Sequence, residues 1–345
     1  MIYQVMACLM MFQATAILMA KEKGEFSRIS SFLAPLTKSF DGAYMLQDDA
    51  ATISPIAGCE LVVTTDTIVE TIHFLGHEPA SDIAAKLIGV NFSDLAGKGA
   101  RPIAYSLNLS LPPKIKDQWL KAFCEELSQQ QINYGCHLIG GDSVSMPEGA
   151  PLCLSITAFG EVPIGKMLRR NGAKIGDLIC VSGTIGDGAL GLLAARGELG
   201  ISDGLKALIN RYYRPQPRVK LGLKLQNHAQ AAMDISDGLI ADLNHMAKAS
   251  GLMAEINIPD VPLSDISVDI LADNPDLMAL VLTGGDDYEL LFTIASTDAF
   301  HLESLAKESK TALSVIGTMK EGDGLRALDR DGNIVTFAQT GFCHS

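Results

Sequence analysis

The sequence predicts an α/β (α+β) protein built as two domains. Three observations carry the prediction. From Lys21 onward, short β-branched runs alternate with long amphipathic stretches. A chain of 345 residues is long enough for two cores. The stretch from Pro163 to Asp177 is richer in Gly, Lys and Arg than its flanks and reads as a junction. The expected units are residues 21–163 and 164–345, behind an uncharged extension over residues 1–20.

In the first unit ELVVTTDTI (60–68) has the β-branched content of a strand. PASDIAAKLIGVNFSDLAGKGA (79–100) is helical, with Pro79 near its start and glycines at its end. IAYSLNLSL (103–111) reads as strand, IKDQWLKAFCEELSQQQINYG (115–135) as helix, and LCLSITAFGEV (152–162) as strand. In the second unit DLICVSG opens with a strand, and helices run through Arg196 and Tyr213. Pro215 and Pro217 open a further helix. A strand then feeds Asp234, a helix spans Leu239 to Ala249, and LMAEINI and YELLFTI complete the second sheet.

The balance of 27 basic against 40 acidic residues, a net charge of −13, argues against a nucleic-acid partner, which clustered Lys and Arg would have to hold. An acidic chain can still bind phosphates when metal cations stand between. The seven cysteines form no C-x-x-C pair, which suits reduced, buried thiols in a cytoplasmic protein. The extension MIYQVMACLMMFQATAILMA has three readings: a signal or anchor, a native helix, or residues preceding a true start at Met19. Gln4, Gln13 and the absence of a preceding Lys or Arg favour the last. No later segment reads as membrane-spanning.

Acidic residues recur where apolar runs end beside Gly, Ser or Thr: Asp48 and Asp49, Asp66, Asp94, Asp142, Asp234 and Asp237, then Asp286, Asp287 and Glu289. Singly, each reads as a helix cap or turn residue. Together, acids at strand ends fit a magnesium–nucleotide site. Gly186-x-Gly188-x-x-Gly191 matches the dinucleotide fingerprint, but Asp187 would project into the phosphate cradle. A tight turn with close helix packing is the better reading. AGKGA lacks the hydroxyl residue and loop of a P-loop. The histidines show no zinc spacing. Arg169 and Arg170, with Lys166 and Lys174, form a compact basic cluster that is either a solvated face or a phosphate contact.

Taken in order, TTDT with the His of IHF, NFSDLAGKGA, IGGD, RRNGAKIGD, DISDGL and GGDDYELLF resemble thiamine-monophosphate kinases. That family belongs to the superfamily of aminoimidazole ribonucleotide synthetase and selenophosphate synthetase. The resemblance runs from Gly24 to the C-terminus. It implies a two-domain aminoimidazole ribonucleotide synthetase-like fold that pairs through its N-terminal domain as a homodimer. It also implies transfer of the γ-phosphoryl group of ATP to thiamine monophosphate with several Mg2+ ions. By the same likeness Asp49, Thr64, Thr65, Asp66, Asp94, Asp142, Asp234 and Asp237 would hold metal. Gly141, Asp142, Arg170 and Ser236 would contact ATP, and His73, Glu289 and Phe342 the thiamine phosphate. Gln47 stands where the family usually has Gly, Asp286 where it often has Glu, and Cys124 where a larger residue near the nucleotide is common. Two other readings stay open: another ATP-using synthetase of the superfamily, or a non-catalytic nucleotide- or thiamine-phosphate-binding protein.

Overall fold

After a short helix, α1 (Glu25–Arg28), and a run of tight helical turns, the first unit comprises β1 (Cys59–Val69), α2 (Ala80–Gly97), β2 (Arg101–Leu111), α3 (Asp117–Tyr134), β3 (His137–Ser145) and β4 (Cys153–Pro163). The computed structural model describes residues 25–200, 204–338 and 341, so the apolar extension and Phe342 lie outside the described residues. Among those described, no helix is long and apolar enough to cross a membrane.

The first sheet has the order β1-β4-β2-β3. Only β2 and β3 run parallel, and β1 and β3 are opposite edges. Alternation along β1 turns Val62, Thr64, Asp66 and Ile68 toward α2, and Leu61, Val63, Thr65 and Thr67 to the other face. α3 stops where Gly135 takes a left-handed φ of 66° and its N–H returns to the Gln131 carbonyl at 2.8 Å.

The second unit comprises β5 (Leu178–Ser182), α4 (Asp187–Ala195), α5 (Leu205–Tyr213), α6 (Val219–Leu225), β6 (Ala229–Asp234), α7 (Leu239–Ser250) and β7 (Met253–Asn257). It continues through α8 (Asp265–Asp273), α9 (Met278–Thr283), β8 (Leu290–Ile294), α10 (Leu302–Ser309), β9 (Leu313–Lys320), β10 (Gly324–Leu328) and β11 (Ile334–Val335). Its sheet order is β11-β10-β7-β9-β5-β8-β6. Only β10 and β7 pair in parallel. The fold is thus α/β, two mixed sheets each packed with helices.

The units meet along α2. Fifteen of its 18 residues are buried, because the first sheet and α3 cover one side while α6, β6 and β8 cover the other. At Gly97 a Cβ would lie 2.9 Å from the Asp234 backbone nitrogen, so only glycine lets the end of α2 touch the end of β6. The junction is pinned to both units. Leu168 N–H donates to the Lys98 carbonyl (3.1 Å), and Ala232 N–H donates to the Arg169 carbonyl (2.8 Å). Arg170 is thereby presented between them.

Candidate active site

The contact between α2 and β6 juxtaposes acids from both units. On β1 the Asp66 N–H donates to Asn91 Oδ1 (3.0 Å), and Asn91 Nδ2 in turn donates to the Leu87 carbonyl (2.9 Å). The edge strand is thus locked to α2. Thr64 donates its hydroxyl to Asp94. Thr65 turns its hydroxyl to the opposite face, where it meets Thr157 at 3.0 Å.

From the second unit, β6 ends at Asp234 and the chain turns through Ser236 and Asp237 into α7. Asp242, buried in the first turn of α7, accepts the N–H groups of Ser236 and Asp237, both at 3.0 Å. The carboxylate reaches back from the helix to hold the N–H groups of the turn that precedes it. The loop before β8 zips onto the same turn. Asp286 N–H donates to the Ser236 carbonyl (2.9 Å) and Tyr288 N–H to the Ile235 carbonyl (2.8 Å). Both donors hold left-handed backbone, φ 62° and 51°, a strained state for non-glycine residues that surrounding bonds must enforce.

These elements enclose a cavity of about 350 Å³ lined by Asp66, Asp94, Asp234, Asp237, Asp286, Arg170, Ser236 and His73, with Thr67, Ile68, Ile72, Val90, Leu192, Tyr212, Gly284 and Tyr288. His73 is fixed by its backbone and ring: Nδ1 accepts from Val69 N–H (3.1 Å), and its carbonyl accepts from the Tyr212 hydroxyl (3.2 Å). Burial, then the neighbouring Asp94 charge, push the Asp234 carboxyl above the ordinary range. Burial, with Asp234 and Asp237 close by, raises Asp242 to about 8. The site concentrates negative charge, with Arg170 as a cation in the same wall. Lys98 stands behind it, donating to the Ala232 carbonyl at 3.2 Å. Such a wall suits a polyanion only when further cations intervene.

Known proteins match this architecture along nearly its whole length. The AIR synthase related protein, N-terminal domain, matches residues 47–162, and the corresponding C-terminal domain matches residues 174–330. Thiamine-monophosphate kinase of Caulobacter vibrioides is 38% identical over 323 residues, spanning 93% of this chain and 90% of that protein. The Salmonella typhimurium thiamine-monophosphate kinase is also 38% identical, over 325 residues, with 93% and 98% covered. The chain belongs to the thiamine-monophosphate kinase family. The crystal structure of thiamine-monophosphate kinase from Stenotrophomonas maltophilia superposes with a TM-score of 0.77 at 40% identity, covering 84% of this chain and 91% of that one. AaThiL complexed with AMPPCP and TMP gives a TM-score of 0.73 at 30% identity, covering 85% and 90%.

Within this thiamine-monophosphate kinase fold the other expected residues among those described divide into three groups, while Thr65, bonded to Thr157, lines neither cavity. Asp66, Asp94, Asp234, Asp237, Arg170, Ser236 and His73 share the cavity, with Thr64 bonded to Asp94. Asp49, Gly141 and Asp142 line a second cavity of about 640 Å³ at the β3 edge, together with Leu46, Leu138, Ile139 and Phe159. Glu289 lines neither cavity. It is fully buried, accepting from the Ser182 hydroxyl (2.5 Å), Arg211 (2.9 Å) and Arg218 Nε (2.7 Å). The expectation that Glu289 holds substrate is corrected: its charge is consumed inside the fold, and Asp286 is the acid of GGDDYEL that faces the cavity. Cys124 packs in the first core with its thiol pushed up to about 12 by burial; it touches neither cavity. Gln47 sits in right-handed backbone (φ −99°), while Tyr44, Met45 and Leu46 take the left-handed turn ahead of it. Gly341, the described neighbour of Phe342, packs against the Asp237 carbonyl.

The glycine fingerprint also finds its occupant. Gly186 N–H (2.9 Å) and Gly188 N–H (3.2 Å) donate to the buried Asp287 carboxylate at the start of α4. An internal anion fills the place where a dinucleotide phosphate would sit. Asp187 instead meets the hydroxyls of Thr184, Ser264 and Ser267.

Two outcomes follow from this charge arrangement. Glu289→Ala strands Arg211 and Arg218 in the interior and is expected to lower unfolding free energy by about 3–5 kcal/mol in a urea titration. A variant of unchanged stability that loses only substrate affinity would restore Glu289 to the substrate site. Separately, Asp242 has a folded-state value of about 8 against an ordinary 3.8, so between those values the folded state holds the extra proton. Its contribution to stability falls as pH rises across that window. In chelator-treated protein, melting temperature measured from pH 5 to pH 8 should therefore fall more steeply in the wild type than in Asp242→Asn; equal slopes would contradict the assignment.

Proposed function

We propose that the cavity between the units is where the γ-phosphoryl group of ATP passes to the phosphate of thiamine monophosphate, giving thiamine diphosphate and ADP. The observation that carries this is the convergence of Asp66 and Asp94 from one unit with Asp234, Asp237 and Arg170 from the other. The attacking atom is a phosphate oxygen, largely ionised near neutral pH because its second pKa is about 6. No general base is required of the protein. The barrier is the repulsion of two polyanions and their in-line alignment.

The residues fit Mg2+ as cofactor. Every candidate ligand offers oxygen, and Asp234 is buried beside Asp94, a like-charged pair that a divalent cation relieves. Among the described residues no three His, Cys, Asp or Glu side chains pack closely enough to hold an ion by themselves. Magnesium, which keeps several waters and substrate oxygens in its shell, matches that spacing. Thr64, Asp66, Asp94, Asp234 and Asp237 would hold it, and when bound it supplies neutralisation of the phosphate charge. Arg170 and Ser236 orient the triphosphate. His73 and Asp286 hold the thiamine phosphate, and the apolar wall of Ile68, Ile72 and Leu192 shields it from water. The buried free thiols of Cys124, Cys136 and Cys180 suit the reducing cytoplasm.

The same reading includes a homodimer. Asp142 pairs through Asn108 and Ser155 to Thr67 in a single row across the first sheet. Three strand spacings, roughly 14 Å, separate it from β1. Within one chain Asp142 and Asp66 therefore do not share a cation. The sheet face carrying this row points away from α2, and Leu61, Val63 and Val144 are exposed on it. A second copy packed there would cover those side chains and bring the Asp49–Asp142 cavity of one copy toward the Asp66 cavity of the other.

Incubation with ATP, magnesium and thiamine monophosphate should yield thiamine diphosphate by chromatography, and Asp66→Asn or Asp234→Asn should cut turnover by about two orders of magnitude or more. Near-normal turnover in Asp66→Asn would remove that residue from the metal set. Mixing the inactive variants Asp66→Asn and Asp142→Asn should restore up to about a quarter of wild-type activity through heterodimers with one intact site. A mixture as inactive as its parts would place each site within one copy.

A further inference from the structure

Behind the cavity wall, α2 buries a cation that the phosphoryl-transfer scheme does not use. The Lys86 side chain is 3% exposed, and its Nζ donates to Asp286 Oδ2 at 3.1 Å. The same ammonium lies 3.6 Å from the centroid of the Tyr212 ring, a cation–π distance. Lys86 belongs to the first unit, whereas Asp286 and Tyr212 belong to the second and both line the cavity. The neighbours of Asp286 show how firmly it is placed. Its N–H is bonded to the Ser236 carbonyl and its backbone is held at φ 62°. Lys86 supplies the remaining hold.

Stability alone gives a weak reason for this lysine. Desolvation disfavours its charged form, and a buried ion pair is commonly no better for stability than well-packed apolar residues of similar volume. Elsewhere the close contacts of α2 with the second unit are made by small residues, Gly89 against Pro215, Ala96 against Gly222 and Gly97 against Asp234. The cavity supplies a stronger reason. Its wall already carries Asp66, Asp94, Asp234 and Asp237, and an uncompensated fifth carboxylate would add repulsion against every incoming phosphate.

We propose that Lys86 is a positioning residue for the thiamine-phosphate substrate, holding the Asp286 carboxylate on the cavity wall and cancelling its charge. Asp286 then presents a fixed acceptor to the non-phosphate part of the substrate, where amino and cationic groups reside, without repelling the phosphates. Tyr212, fixed beneath the ammonium and bonded to the His73 carbonyl, ties the same wall to the segment bearing His73. This inference rests on the kinase reading given above.

The test is steady-state kinetics of Lys86→Met, which keeps an unbranched stem of similar length but removes the ammonium and leaves Asp286 intact. KM for thiamine monophosphate should rise roughly ten-fold, as expected for losing a charged hydrogen bond that orients a contact, while KM for ATP stays within about two-fold. The double variant Lys86→Met/Asp286→Asn removes the unpaired charge and separates folding from function: its melting temperature should return toward wild type while KM for thiamine monophosphate stays raised. Unmoved KM values in a folded Lys86→Met enzyme overturn the role. So does a parallel rise in both KM values that the double variant corrects together with stability. A wild-type protein that forms no thiamine diphosphate overturns the kinase reading, and the role of Lys86 with it; normal wild-type turnover beside an indifferent Lys86→Met overturns the role of Lys86 alone.

Discussion

The site depends on one close approach, the end of α2 against the end of β6. Gly97 allows it, because any side chain there would collide with the Asp234 backbone. The approach places Asp94 beside Asp234 in a setting of little water, where like charges interact strongly. Packing therefore works against electrostatics at this junction. The apolar surface of α2 is buried on both sides, and that burial holds together two carboxylates that would otherwise separate. Forced beside another acid and out of water, the Asp234 carboxyl is pushed above its ordinary range, and the same crowding of negative charge favours a divalent cation between the two.

Around this contact the second unit spends its charged residues on rigidity. Glu289, Arg211, Arg218 and Ser182 form a buried network under the loop that carries Asp286 and Tyr288. Asp287 plugs the start of α4 through the Gly186 and Gly188 N–H groups. The two flanking acids point into the fold, so the acid between the glycine turn and Asp287 is left to face the cavity. Left-handed backbone at Asp286 and Tyr288 alternates the direction of successive side chains. Four neighbouring residues can thereby serve the cavity and the interior in turn.

Much of this was legible in the sequence. The periodicity of 79–100 and 115–135 located α2 and α3, and β-branched runs located β1, β2 and β4. β3 escaped, because HLIGGDSVS has a glycine pair where a strand pattern would have side chains; β9 to β11, with glycines at Gly317 and Gly324, escaped for a similar reason. Among site residues, acids at strand ends were visible as a group. Which acid of GGDDYEL faces the cavity was not, since a two-residue alternation can be read in either phase and a shift of one residue exchanges the two faces. Tyr212 and Lys86 carried no signal. Each is an ordinary helix residue in sequence, and only the packing of α5 and α2 across the unit boundary brings them to the site.

DISDGLIAD shows why residue type alone did not settle roles. Asp234 ends a strand and is buried against another acid. Asp237 follows in the turn and lines the cavity, while Asp242 lies one helical turn on and points back to cap the N–H groups of Ser236 and Asp237. Only the first two belong to the cavity; the third holds their loop in shape. Two N–H groups in the turn, those of Ser236 and Asp237, need an acceptor within the fold, and the Asp242 carboxylate supplies both bonds from the first turn of α7.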